Sequence, residues 1–316
     1  MQSIDKIKAV VIGHAVADAL GVPVEFCTRA ALDSDPVVGM RGFGTHSVPA
    51  GAWSDDTSMA LAAMDSLAKG LIDFNDIMEG FVKWCKEGEY TPTGTMFDIG
   101  GTCMAAIRNY LAMDEKNATA CGLSDGYSNG NGSLMRIYPF VLYAYVKRLP
   151  RDAWIALVKD GSYLTHAHER SVLGCLIYAF VLMHLLEEGS MDSLKRGLAS
   201  AASYLGEYTE MAAYERIFKR DFASLSRKEI RSSGYVVDTL EAALWCVMTT
   251  KDYKSCVLEA VNLGEDTDTV AAVAGSLAGA LYGYKAIPSE WLKTLIERDM
   301  IEALCESACE TWETVL

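Results

Sequence analysis

Two acidic clusters, Ser54-Asp55-Asp56-Thr57 and Glu265-Asp266-Thr267-Asp268-Thr269, stand at opposite ends of the chain, each before a run of small and apolar residues. Carboxylates and hydroxyls are hard oxygen donors of the kind that hold Mg²⁺ or Mn²⁺. The same residue types also cap helices and complement the positive end of the helix dipole. A cap, however, needs one acceptor and at most one further acid, whereas each cluster offers two Asp within three positions, flanked by hydroxyls. If the two helix starts met in a core, like-charge repulsion and desolvation would call for a counter-cation. The metal reading therefore depends on the two ends meeting.

Other segments carry chemistry of their own. Tyr127 to Arg136 places Gly130, Asn131 and Gly132 just before a helix expected to begin at Ser133, where converging backbone N–H groups could cradle a phosphate or simply make a turn. It matches neither the dinucleotide fingerprint nor the Walker loop. Asp98, in a Gly/Thr loop, is open to reading as a general acid or base, a substrate contact or a cap. Glu25 follows Pro23 and could reach a site, although a solvated loop glutamate is the ordinary alternative. His166 and His168 lack the spacing of a zinc helix, so ligand hydrogen bonding by His166 and a surface place for His168 fit better. Tyr235 could stack on a ring or cation, or anchor a loop to the core. There is no GxSxG, which disfavours a Ser-His-Asp hydrolase.

These groups must be positioned by helices, because 3.6-residue periodicity dominates and strand-like alternation is scarce. The first segment puts Ile4, Ile7, Val11, His14 and Asp18 on one face and ends at Gly21 and Pro23. Asp18 then lies inward at a helix C-terminus, which disfavours an anion, so it needs donors or a cation. Further helices are predicted over 57–69, 74–86, 101–111, 133–146, 151–159, 169–187, 192–208, 239–249, 253–261, 270–282 and 289–309. Segments 26–52, 86–100 and 120–132 read as loops, and 207–231 as a solvated helical excursion. Ala271, Gly275, Gly279 and Gly283 recur every fourth residue, leaving one helix side bare enough for a second backbone to approach. We read residues 1–316 as one all-α domain.

Composition bounds the function. A net charge of −14 argues against a nucleic-acid surface. No signal-like start is evident, and no apolar run is expected to reach the roughly 18–20 residues of a membrane span. Nine Cys without a CxxC pair suggest reduced thiols and a cytoplasmic location, with Cys305 and Cys309 as buried small hydrophobes.

Taken in order, six landmarks resemble the ADP-ribosylglycohydrolase family over about residues 9–284. They are Ala17-Asp18-Ala19-Leu20-Gly21 with Pro23 and Glu25, Trp53 through Thr57, Asp98-Ile99-Gly100, Gly130 through Arg136, Thr165-His166, and Gly264 through Thr269. The resemblance implies an orthogonal all-α bundle with a binuclear Mg²⁺ or Mn²⁺ centre, and so supplies the premise that the clusters meet. By position it implies Ser54, Asp55, Asp56, Asp266, Asp268 and Thr269 as metal ligands. Gly130, Asn131, Gly132, Ser133 and His166 would receive the diphosphate or distal ribose, and Tyr235 would lie near adenine or the leaving group. Asp56, Glu25 and Asp98 are the candidate proton-transfer groups. The implied substrate is ADP-ribose joined to a protein, first of all through arginine because Ser-Gly-Tyr-Val resembles the arginine-directed branch. Serine or small-molecule conjugates, and a non-catalytic ADP-ribose-binding or structural member of the family, are the alternatives. Three departures stand out: Ala17 for Gly, Ser54 for Thr, and Glu265 for Gly, the last expected to add a carboxylate beside the site.

Overall fold

A computed structural model describes residues 2–314 of the 316. Its α-helices in chain order are α1 (Ser3–Gly21), α2 (Arg29–Ser34), α3 (Asp55–Ala68), α4 (Phe74–Glu87), α5 (Gly101–Ala112), α6 (Tyr138–Val146), α7 (Arg151–Tyr163), α8 (Glu169–Glu188), α9 (Met191–Leu205), α10 (Val236–Thr249), α11 (Tyr253–Asn262), α12 (Thr267–Tyr282), α13 (Ser289–Thr294) and α14 (Arg298–Glu313). Among the described residues there is no strand beyond three isolated bridges, so the architecture is all-α.

The centre of the bundle is the pair α1 and α12, which cross with almost nothing between them. A Cβ on Gly279 would fall 2.0 Å from the Ala9 carbonyl oxygen, one on Gly13 2.7 Å from that of Gly275, and one on Gly21 2.3 Å from the Asp268 Cα. These pairings run antiparallel. The bare stripe on α12 thus meets a matching stripe on α1, Ala9, Gly13, Ala17 and Gly21, that the sequence reading overlooked. Ala17 keeps its methyl because it faces Gly275, whose own Cβ would lie 2.4 Å from it. With small residues on both helices the backbones approach closely, and the two helix ends arrive at one place.

Helix α1 is buried on every side from Ala9 to Gly21, not on the single face expected from the spacing of Ile4, Ile7 and Val11. A helix apolar all round belongs in a core. The same burial corrects the membrane expectation. Ser3–Val24 and Glu169–Glu188 are long and apolar enough to span a bilayer, yet 94% and 78% of their apolar windows are buried inside the fold.

Two predicted helices differ in instructive ways. The helix predicted from Ser133 begins only at Tyr138, because Pro139 fits the first turn of a helix but would break an interior. The helix predicted over 289–309 is broken at Glu297, whose φ is +49°. The loop leading to the first acidic cluster wedges into that break: Ile296 N–H donates to the Gly51 carbonyl at 3.1 Å, and a Cβ on Gly51 would strike the Thr294 oxygen. The excursion at 207–231 is a series of 3-10 turns, Thr209–Phe218, Phe222–Ser224 and Arg227–Glu229.

Candidate active site

The last turn of α1 and the first turns of α3 and α12 converge. Asp18 accepts from Ser54 N–H at 3.0 Å, Thr57 N–H at 3.1 Å, Ser54 Oγ at 3.0 Å and Thr57 Oγ1 at 2.6 Å, so an anion on α1 caps the start of α3. That settles Asp18 as a carboxylate held by a neighbouring helix start. Burial nevertheless pushes its pKa up to about 6 against those donors. On the other side, Thr267 Oγ1 donates to the Gly21 carbonyl at 2.8 Å and docks α12 onto the end of α1.

The two acidic clusters therefore meet. Carboxylate oxygens of Asp18, Asp56 and Asp268 lie within 4.8 Å of one another, as do those of Glu25, Asp266 and Asp268. Asp56 Oδ2 accepts from Ser54 Oγ at 2.9 Å and Thr269 Oγ1 at 3.3 Å. Asp268 Oδ1 accepts from Thr269 N–H at 2.9 Å, and Asp266 Oδ2 from Asn131 Nδ2 at 2.9 Å. The second oxygen of each, Asp56 Oδ1, Asp266 Oδ1 and Asp268 Oδ2, is buried with no partner. Three such orphans would each cost several kcal/mol if ionised and bare, about the price of leaving a charge unpaired in a dry site. Burial first, then the mutual field of the carboxylates, holds Asp55, Asp56 and Asp268 well above the usual carboxylate range. Burial also raises Asp266. Hard oxygen donors, negative charge and missing partners fit divalent cations.

Beside this centre opens a cavity of about 350 Å³, lined by Glu25, Phe26, Asp55, Asp98, the 99–103 turn, Gly130 to Gly132, Met135, His166, Gly234, Asp266 and Thr269. Its size suits a ribose-containing ligand. A larger cleft of about 770 Å³, between Tyr143, Lys147 and Trp312, has none of the clustered acids. Glu25 is 5% exposed, not the solvated glutamate that its loop suggested, and it bonds to His46 Nε2. Burial lifts its pKa to about 7, and the bond to Glu25 in turn raises that of His46. Asp98 caps nothing: the N-cap of α5 is Gly100, with no side-chain cap, and Asp98 faces the cavity with φ +56°.

The glycine loop forms one wall. Asn131 N–H donates to the Gly234 carbonyl and Val236 N–H to that of Asn129, both at 3.0 Å, pinning the loop to the start of α10. A Cβ on Gly132 would lie 2.7 Å from Cys103 Sγ and 2.9 Å from His166 Cε1, so only glycine fits. His166 is oriented from behind. Arg136, fully buried, donates to Thr165 Oγ1 at 2.7 Å, and Thr165 Oγ1 lies 2.8 Å from His166 Nδ1. The threonine proton is then free for Nδ1, which leaves Nε2–H as a donor beside Gly130. Burial, then Arg136, lowers the His166 pKa to about 3, so the ring is neutral.

Some expected residues are placed elsewhere. Ser133 turns away from the cavity into a buried set with Ser162 Oγ at 3.0 Å and Cys175 Sγ at 3.4 Å. Its following residues coil rather than begin a helix, which aims the hydroxyl inward. Tyr235 pairs with Gly130 through its backbone, and its ring lies 5.8 Å from the Arg170 guanidinium and outside the cavity lining, an anchor more than a ligand platform. Glu265 is exposed and adds no side chain to the lining. Its φ of +65°, and backbone bonds to Phe26 and Cys27 at 2.7 and 2.8 Å, explain why glycine suits that position. His168 is the N-cap of α8, accepting from Arg170 N–H at 3.2 Å. Ser54 keeps its hydroxyl on Asp18 and Asp56.

An all-α bundle whose first and late helices bring two acidic helix starts together over a glycine-walled cavity defines the ADP-ribosylglycohydrolases, and the chain belongs to that family, whose model matches residues 1–315. It is a glycosidic-bond hydrolase. It is 35% identical over 312 residues to "ADP-ribosylarginine hydrolase Tri1" of Serratia proteamaculans (strain 568), spanning 96% of this chain and 79% of that one. It is 33% identical over 302 residues to "ADP-ribosyl-[dinitrogen reductase] glycohydrolase" of Rhodospirillum rubrum, covering 94% and 93%. Among solved structures, one titled "ADP-ribosylglycohydrolase-related protein complex" superposes with a TM-score of 0.81 at 31% identity, over 99% of both chains.

Proposed function

We propose that this chain releases ADP-ribose from arginine side chains of proteins, working with two divalent cations, Mg²⁺ or Mn²⁺. The observation that carries the reading is the trio of orphaned oxygens on Asp56, Asp266 and Asp268 at the edge of a cavity whose lining contains no Lys or Arg. Asp55, Asp56, Asp266 and Asp268, with Ser54 and Thr269, would hold the ions, which when bound supply charge stabilisation and a water of lowered pKa. Glu25 and Asp98, the lining carboxylates not assigned to the ions, favour a cationic guanidinium leaving group over a neutral serine. The names of the two relatives above support the same choice.

In the reaction a water oxygen bonds to the anomeric carbon and gives a proton to a carboxylate, while the bond from that carbon to the guanidine nitrogen breaks and the nitrogen takes up the bonding pair and a proton from a protonated carboxyl of the site. Glu25, with a pKa near 7, is suited to carry a proton at neutral pH, Asp98 faces the same space, and Asp56 lies buried in the acidic cluster behind it. The N–H groups of Gly130 and Gly132 and His166 Nε2–H are donors for the diphosphate or distal ribose, and Asn131, whose own N–H groups go to Gly234, Thr239 and Asp266, holds that loop in place. We place this activity in one domain spanning the chain. Nine free cysteines suit a reducing, cytoplasmic setting.

The test compares arginine-linked and serine-linked ADP-ribosyl peptides, with and without Mg²⁺, resolving products by mass spectrometry. Intact ADP-ribose from the arginine peptide alone, and only with metal, is the expected result. Release from serine alone would move the proposal to that linkage; AMP would reveal attack at phosphorus; binding without release would make the chain an ADP-ribose binder.

A further inference from the structure

We propose that His46 is a positioning residue that aims the Glu25 carboxylate across the cavity at the reacting bond. The inference rests on the reading of Glu25 as a proton-transfer group in that cavity. Glu25 leaves the 3-10 turn Val22–Val24 with no helix of its own to hold it. The segment 43–48 supplies the hold at three levels. Gly44 packs so closely that a Cβ would lie 1.9 Å from the Pro23 carbonyl oxygen. Thr45 Oγ1 donates to the Glu25 carbonyl at 2.7 Å, and His46 Nε2 bonds the Glu25 carboxylate itself.

The imidazole is in turn fixed by aromatic neighbours. Its ring centroid lies 5.2 Å from that of Phe97 and 6.2 Å from that of Phe26. Phe97 and Phe26 flank the cavity residues Asp98 and Glu25 in sequence, so the ring ties both walls of the mouth together. The backbone that presents His46 is unusual. Phe43 has φ +66° with ψ −117°, a combination bulky residues rarely adopt, and its side chain is 67% exposed, so no burial of its own offsets the strain. The shape is imposed by the ends of the turn, where Phe43 and Val48 form a backbone bridge. A strained turn that grips the Pro23–Glu25 backbone and sets one side chain, His46, on the Glu25 carboxylate points to a role for that carboxylate's orientation.

The experiment uses the full chain with Mn²⁺ and an ADP-ribosyl-arginine peptide, comparing His46→Ala, His46→Gln, Glu25→Gln and the Ala/Gln double variant. We expect His46→Ala to lower kcat about ten-fold or more, a fraction of what general acid–base groups contribute, with KM changing less than about three-fold. His46→Gln, which keeps an N–H at the position of Nε2, should recover most of the rate. In the Glu25→Gln background, removing His46 should cost under about two-fold, because its target is already gone. Equal losses in both backgrounds, or an undiminished His46→Ala, would overturn the inference. So would loss of a bound ion from His46→Gln by titration calorimetry, which would make His46 a ligand. Full activity in Glu25→Gln would instead overturn the reading of Glu25 on which it rests. Should His46→Ala fail to fold, His46→Asn, whose shorter amide cannot reach the Glu25 carboxylate, takes its place in both backgrounds, with the same losses expected and the same outcomes overturning the inference.

Discussion

At the scale of single residues, the site is defined by carboxylates whose partners are missing. Asp56 and Asp268 each bond one oxygen and leave the other bare. Replacing either by Asn should lower metal-dependent turnover by more than about a hundred-fold, since even the residues that support metal ligands are worth about 10–100-fold. The fold should survive, and without metal both variants should melt no lower than the parent, because each removes a repelled charge; a melting temperature still raised by Mg²⁺ as in the parent would contradict the assignment. A pH dependence follows from the same groups. A carboxyl held above its ordinary value gives stability that is full below that value and lost as pH rises through the folded pKa, about 6 for Asp18 and about 7 for Glu25. His14 and His166, pressed down to about 3 by burial, act in the opposite sense and only below their ordinary 6.5. The two effects offset between about pH 4 and 6.5. Above 6.5 the carboxylates, joined by His46 whose pKa Glu25 raises, all act in one sense, so calorimetry of the metal-free protein should show a melting temperature falling towards pH 8, a slope that Mg²⁺ or Mn²⁺ reduces. The acids and the glycine loop were legible in the sequence because their residue types are costly anywhere else. His46 was not: a lone histidine in an irregular loop has no period to place it, and only the fold brings it to Glu25. Ser133 misled for the converse reason, since which way a loop hydroxyl turns depends on Pro139 delaying the next helix.

At the scale of elements, the position of the site follows from helix α12 lying on α1. The stripe on α12 was readable by its four-residue spacing; its mate on α1 was hidden, because apolar residues surround it on every side. Gly279→Ala would put a methyl 2.0 Å from a backbone oxygen that has no rotamer to move. We expect it to cost about 3 kcal/mol, the upper range for overpacking, read as a lower urea midpoint together with weaker metal binding; a neutral effect would mean the helices can part without loss. Asp18 performs the matching task for α3. Asp18→Ala strips the Ser54 and Thr57 N–H groups of their acceptor, at about 1–3 kcal/mol for unsatisfied buried donors. Metal affinity should fall with it, since Asp55 and Asp56 sit on the turn that it holds, whereas Asp18→Asn, retaining an acceptor, should keep most of both. The broken helix at Glu297 escaped the sequence for a related reason: periodicity continues on either side, and the break exists only because Gly51 enters it.

At the scale of the whole molecule, the apolar helices α1 and α8 have the composition of membrane spans and the surroundings of a core, a distinction that sequence length and hydropathy alone do not draw. Ligands that bind only the folded state raise its stability, by about 2.7 kcal/mol at a hundred times the dissociation constant. Bound Mg²⁺ or Mn²⁺ should therefore slow limited proteolysis of the chain, most of all around the starts of α3 and α12, and the protection should vanish in Asp268→Asn. The contact between Asp56 and Thr269 spans 213 positions of sequence. Ions held across it would serve as a removable cross-link, closing a loop that takes in two thirds of the chain. Because the cost of such closure grows only with the logarithm of loop length, the two halves of the site can lie far apart in the gene yet meet at modest entropic expense. Metal capture then becomes a report on the finished topology: a nascent chain acquires the full ligand set only after its second acidic cluster has been made.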